Sequence, residues 1–165
     1  MHGAVPQLQD YLEHSARRLP DKVALVHQDE SLTYRQLDRR SNALAHTLVD
    51  RGISRGDRVI VFADNSISTV IAFWGALKAN AVASVVSPLT KADKLSYYLT
   101  DCRAAALVAD DHLKGVWREP AAKSQWLKTT LVAPNDPALN HERDEPPRRQ
   151  NIDVDLASII YTSGS

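Results

Sequence analysis

Between Arg58 and Val108 the chain alternates short, uninterrupted apolar runs with longer amphipathic ones, and this alternation restricts the fold more than any other feature. Arg58 to Phe62 carries a continuous Val-Ile-Val core, the mark of a strand covered on both faces. Ser66 to Ala79 reads as an apolar helix, Ala81 to Val86 as a strand, Lys91 to Asp101 as an amphipathic helix, and Ala105 to Val108 as a strand. Asp111 to Arg118 adds a short helix and Thr129 to Val132 a further strand. Strands that alternate with helices build βαβ units, so the expected class is α/β with a mostly parallel sheet flanked by helices.

The residues before Arg58 add a different unit. Leu8, Tyr11, Leu12, Ala16 and Leu19 recur at three- and four-residue intervals, and Pro20 ends that helix. Val23 to Val26 and Leu32 to Tyr34 flank the polar turn Gln28 to Glu30 and predict an N-terminal antiparallel β-hairpin. Thr33 and Gln36 have capping-box spacing for a helix that carries Leu37, Leu44, Ala45 and Leu48 on one face and ends at Gly52.

After Ala133 the composition changes. Pro134, Pro137, Pro146 and Pro147 stand among many charges up to Asp155, a stretch too poor in apolar surface to order itself, so a mobile loop is expected. The expected division is therefore 1–132 as an α/β subdomain, 133–155 as a Pro-rich charged loop, and 156–165 as a final strand with a loop. In that last piece the apolar run Leu156 to Tyr161 predicts a buried strand leading into Thr162-Ser163-Gly164-Ser165.

Net charge bears on partners. Lys plus Arg and Asp plus Glu number 20 each, which leaves no basic excess for a nucleic-acid backbone or a polybasic membrane anchor. No run approaches the ~20 apolar residues of a membrane span, and Met1 to Asp10 lacks the order of a signal peptide. The single cysteine, Cys102, fits a reducing compartment and reads as a small buried residue near a helix end. A cytoplasmic protein is expected.

Short hydroxyl side chains and a glycine after a strand let backbone amides approach an anion, which is what a triphosphate needs. By itself the tetrapeptide fits an ordinary turn better, and it is no Walker loop, because Gly-x-x-x-x-Gly-Lys is absent. Other polar clusters have plainer readings. Asp110, Asp111 and His112 could hold a metal, but helix capping by either aspartate beside a solvated histidine suits them better. His14, His27 and His46 lack partners at ligand spacing. Lys78 reads as a solvated charge at a helix end, and Asp153 with Asp155 as a solvated pair.

Order along the chain sharpens this. Tyr161-Thr162-Ser163-Gly164-Ser165 resembles the opening of the phosphate loop of the acyl-adenylate-forming superfamily, which includes acyl-CoA synthetases, peptide-synthetase adenylation domains and luciferases. In that family the loop continues with Thr-Gly, a variable residue and Pro-Lys-Gly. Leu32-Thr33-Tyr34-Arg35-Gln36-Leu37 is similar to its Leu-Thr-Tyr-x-Glu-Leu element. Leu77-Lys78-Ala79-Asn80-Ala81-Val82, with Pro88 shortly after, is similar to its Leu-Lys-Ala-Gly-Ala element. Gly56-Asp57-Arg58-Val59 and Asn65-Ser66 also match in type and place. Asn80 departs from the usual Gly but tolerates the same left-handed backbone. Ser87 and the pair Thr90-Lys91 depart from the peptide-synthetase pattern and lean toward an acyl- or aryl-CoA ligase.

The resemblance implies the first subdomain of the large N-terminal domain of an adenylate-forming enzyme. That enzyme would join a small carboxylic acid to ATP with Mg²⁺ and pass the acyl group to CoA or to the phosphopantetheine of an acyl carrier protein. Within this chain only Thr162, Ser163, Gly164 and Ser165 are assigned to ATP binding; no catalytic residue and no metal ligand is assigned. The chain is expected to be a truncated piece, inactive alone, and to self-associate through apolar surface that the rest would cover. The alternatives are a standalone adenylation domain of peptide-synthetase type and a non-catalytic α/β interaction module. A doubly wound nucleotide domain of another kind would want a Gly-rich first βα turn, which is absent.

Overall fold

The computed structural model describes residues 6–162. Helix α1 (Leu8–Arg18) precedes the hairpin of β1 (Val23–His27) and β2 (Glu30–Thr33), which pair antiparallel around Gln28 in the left-handed region. Tyr34, expected in the second strand, is instead the first residue of α2 (Tyr34–Asp50). The capping box explains this early start. The Gln36 amide donates to Thr33 Oγ1 at 3.3 Å, and the Thr33 amide donates to Gln36 Oε1 at 2.9 Å.

The remaining elements are β3 (Arg58–Phe62), α3 (Ile67–Lys78), β4 (Val82–Val86), α4 (Ala92–Asp101), β5 (Ala104–Asp110), α5 (Lys114–Lys123) and β6 (Thr129–Ala133). A single 3-10 turn, Asp111–Leu113, precedes α5, so the expected helix from Asp111 splits in two. All pairings in the main sheet are parallel and the strand order is β4-β3-β5-β6, as the alternation predicts.

The Val-Ile-Val run of β3 divides between two cores. Val59 and Val61 pack with Leu44, Leu48 and Ile71 of α2 and α3. Ile60 and Phe62 pack with Leu95 and Leu99 of α4 and Trp117 of α5. Hence α1, α2 and α3 cover one face and α4 and α5 the other. Gly75 permits the close approach of α3 to α2, since a Cβ there would lie 2.7 Å from Leu44 Cδ2.

Ala133, expected to open the loop, is the last residue of β6, and residues 134–155 are irregular apart from one 3-10 turn, Pro137–Leu139, whose Leu139 is fully buried. Polar bonds to the helices hold the rest. Asn42 Nδ2 donates to the carbonyls of Arg143 and Asp144 at 3.0 and 3.1 Å, and Arg40 Nε donates to that of Leu139 at 3.0 Å. The low apolar content noted in the sequence is therefore offset by hydrogen bonding.

Candidate functional site

The approach to the closing loop is a strap along the free edge of β4. The Ala83 amide donates to the Ala157 carbonyl and the Ile159 amide to the Ala83 carbonyl, both at 3.0 Å, forming one parallel bridge between Ala83 and Ser158. The predicted buried strand Leu156 to Tyr161 is thus reduced to a single bridge. Ala157, Ser158 and Ile159 are half-buried, whereas Leu156 and Ile160 are 65% and 78% exposed. Ala157 packs against the core under α1 to α3, Ile159 and Tyr161 pack against the opposite core, and Leu156 and Ile160 meet no covering layer among the described residues.

Side-chain anchors fix the strap at both ends. Upstream, Asp155 accepts two hydrogen bonds from the Arg55 guanidinium and one from the Ile152 amide, which together hold its carboxyl below the usual range. The expected solvated pair is corrected here: Asp153 is exposed, but Asp155 is engaged because the strap brings it beside Arg55. Downstream, the Tyr161 ring stacks on Tyr98 with centroids 4.0 Å apart, and its hydroxyl donates to Asp101 Oδ2 at 2.8 Å. Burial, then the Asp101 carboxylate, pushes the Tyr161 phenol far above its ordinary range. Thr162 follows immediately and is exposed. Ser163, Gly164 and Ser165 lie outside the described residues.

Lys78 is not the solvated helix-end charge that its position implies. Its side chain is fully buried, and Nζ donates to Asp38 Oδ1 and Asn42 Oδ1, each at 2.6 Å. It is committed to joining α3 and α2. Asn80 does adopt the left-handed backbone, φ 62°, and its side chain does more. Oδ1 accepts the amides of Gln150 and Asn151, and Nδ2 donates to the Arg148 carbonyl. Cys102 is buried at the C-terminal cap of α4, where burial raises its thiol pKa, in line with the inert reading.

At the carboxyl ends of the strands the helix-capping reading fails. Asp110 stands at the cap position of the 3-10 turn but makes no side-chain cap bond. Its Oδ2 instead accepts the Asp64 amide from the neighbouring strand end at 2.7 Å. His112 Nε2 lies 3.1 Å from Asp64 Oδ2 and its Nδ1 4.0 Å from Asp110 Oδ2. Asp64 was missed in the sequence. The available signal was that Asp64 and Asp110 end two predicted strands that a parallel sheet could place side by side.

The motif resemblance and this parallel sheet agree with comparisons to known proteins. A medium/long-chain-fatty-acid–CoA/3-oxocholest-4-en-26-oate–CoA ligase of Mycobacterium marinum is 40% identical over 175 residues, covering 96% of this chain and 32% of the ligase. Malpinin synthetase of Mortierella alpina is 34% identical over 160 residues, covering 96% of this chain and 2% of the synthetase. The chain thus spans about a third or less of these relatives. The crystal structure of the anthranilate CoA ligase AuaEII superposes with a TM-score of 0.90 at 23% identity, covering 98% of this chain and 32% of that one, which establishes the shared fold. The sequence model of the AMP-binding enzyme family matches residues 12–165, and the chain belongs to that family.

Proposed function

We propose that this chain is the N-terminal part of an AMP-forming ligase of the acyl-CoA synthetase type, and that Thr162, Ser163, Gly164 and Ser165 begin its ATP phosphate loop. The carrying observation is the identity of 40% to a fatty-acid–CoA ligase along nearly the whole chain. The strap supports it, since two anchors fix the backbone directly before an exposed Thr162. In this reading residues 1–132 form the α/β subdomain, 133–155 the connecting loop, and 156–165 the delivery strap and loop.

The reaction has two steps. An acid carboxylate attacks the α-phosphorus of ATP, the bond to the bridging oxygen breaks, and pyrophosphate leaves. A thiol then attacks the acyl carbon of the acyl-AMP and expels AMP. In-line positioning and charge neutralisation dominate the first step. The Thr162 hydroxyl and the loop amides suit oxyanions, and Mg²⁺, when bound, would neutralise part of the phosphate charge. No basic side chain lies among the four loop residues, so neutral donors are this segment's contribution. CoA is the acceptor favoured by the ligase likeness; the synthetase likeness favours a carrier-protein phosphopantetheine as the second reading.

Among the described residues no helix is long and apolar enough to cross a membrane. We place the enzyme in the cytoplasm, in keeping with its single buried cysteine. The exposed Leu156 and Ile160 are where the rest of the enzyme, or a second copy in its absence, would pack.

The test is a hybrid in which this chain replaces the aligned N-terminal part of the Mycobacterium marinum ligase. ATP- and fatty-acid-dependent formation of acyl-CoA is expected from the hybrid, and no pyrophosphate release from the 165-residue chain alone. A folded hybrid with no adenylation of any acid would overturn the reading. Acid-dependent pyrophosphate release by the isolated chain would overturn its incompleteness.

A further inference from the structure

Strands β3 and β5 lie side by side, but the connections beyond them run opposite ways across the sheet, β3 leading to β4 on one side and β5 to β6 on the other. The chain therefore parts above their carboxyl ends. In open α/β sheets such a parting is where ligands bind. Here it opens into a cleft of about 350 Å³ that both Asp64 and Asp110 line, together with His112.

We propose that Asp64, Asp110 and His112 form a site for a divalent transition-metal cation of the Zn²⁺ or Co²⁺ class. One ligand atom from each residue lies within 4.8 Å of the others. His112 Nε2 and Asp64 Oδ2 are 3.1 Å apart. Two ligands that share a zinc ion at ~2.0–2.2 Å from each sit about 3–3.5 Å apart, so this pair needs little movement.

Asp110 supplies the second, independent reason. Its side chain is only 9% exposed. Oδ2 accepts the Asp64 amide, and no donor reaches Oδ1 among the described residues. On a side chain that lines the cleft, that unbonded oxygen is free to take a cation. The guanidinium that shares the cleft does not fill this role. Arg40 gives its donors to the Leu139 carbonyl, Glu30 and Asn140.

Asp110 is held from behind, as metal ligands commonly are. Trp117 Nε1 donates to the Asp110 carbonyl at 2.8 Å, fixing the end of β5. The bond from the Asp64 amide to Asp110 fixes the two strand ends to each other. Two carboxylates and one imidazole favour zinc, cobalt or nickel over magnesium, which prefers an all-oxygen shell. With three protein ligands, two of them more than half exposed, water would complete the coordination. The site lies between β3 and β5, whereas the strap lies on the outer edge of β4, so this proposal stands apart from the reading of the phosphate loop.

The experiment titrates the chelator-treated chain with Co²⁺ by visible absorption and with Zn²⁺ by calorimetry. One saturable equivalent is expected, with d–d bands and no thiolate charge-transfer band. Asp64→Asn and His112→Gln, both at exposed positions, should each weaken binding by about tenfold or more. His14→Gln and Cys102→Ser should bind as the parent does. Asp110→Asn should also weaken binding, and the two exposed variants decide the matter if it fails to fold. Absence of a saturable equivalent, unchanged affinity in both Asp64→Asn and His112→Gln, or a charge-transfer band from Cys102 would overturn the assignment. Equal competition by Mg²⁺ would overturn its transition-metal character.

Discussion

Arg55 grips Asp155 through two parallel hydrogen bonds, Nε to Oδ2 at 2.7 Å and Nη2 to Oδ1 at 2.9 Å, and so ties the loop before β3 to the start of the strap. The planar fork of Arg matches a carboxylate in a way Lys would not. Asp155→Asn should speed amide hydrogen exchange at Ile159 and Ala83, the two donors of the strap bridge, with little change in the global melting temperature. Equal exchange in variant and parent would show that the clamp does not hold the strap.

The same clamp sets a pH dependence. The folded Asp155 carboxyl lies below its ordinary value of 3.8, chiefly through the Arg55 hydrogen bond. Its contribution is complete above that value and is lost as pH falls through the lowered one. Strap exchange in the parent should therefore approach that of Asp155→Asn only below about pH 4. Convergence near neutrality would contradict the assignment.

Lys78 is buried against Asp38 and Asn42, and its removal leaves the Asp38 carboxylate with no cation in contact among the described residues. Lys78→Met should destabilise the chain by about 3 kcal/mol in urea unfolding. A change below about 0.5 kcal/mol would match a solvated lysine.

Gly75 opposes the usual helix preference. Alanine would gain about 1 kcal/mol of propensity, yet its Cβ would meet Leu44 Cδ2, Cγ and Cβ at 2.7, 2.9 and 3.0 Å. The clash includes Leu44 Cβ, which moves only with the backbone of α2. Gly75→Ala should therefore lower stability, by about 1–2 kcal/mol net.

Asn80 bears on how much could be read from residues alone. Its left-handed backbone was legible, because the break between α3 and β4 requires it and Asn accepts it. Its three side-chain bonds to 148–151 were not, because those partners lie about 70 residues away. Asn80→Gly keeps the backbone and drops the bonds, so it should cost about 2 kcal/mol in urea unfolding.

The same division holds across the chain. The hairpin came from a polar turn between apolar runs, the Thr33 cap from its spacing to Gln36, and the βα alternation from apolar runs between amphipathic stretches, all of them local signals. The two-sided burial of β3 followed from its unbroken apolar run. Lys78, Asp155 and the Asp64–Asp110 contact follow from which elements become neighbours, and local patterning carries little of that. The strap was misread for a related reason. Leu156 to Tyr161 has the composition of a buried strand, but the burial of Leu156 and Ile160 depends on a covering layer that none of the described residues provides.

Tyr161 separates packing from hydrogen bonding at the base of the loop. Tyr161→Phe keeps the stack on Tyr98 and loses the Asp101 bond; Tyr161→Ala loses both. In the hybrid ligase the KM for ATP should rise little for Phe and about tenfold or more for Ala. Equal effects would remove the stack from the account.

Hydrogen exchange at the closing loop tests the central claim most directly. In the hybrid ligase, a peptide spanning Ser158 to Ser165 should exchange more slowly once ATP is bound, and Thr162→Ala should reduce both this protection and ATP affinity. ATP bound at saturating levels with unchanged exchange across that peptide would contradict a nucleotide-gripping role for these residues.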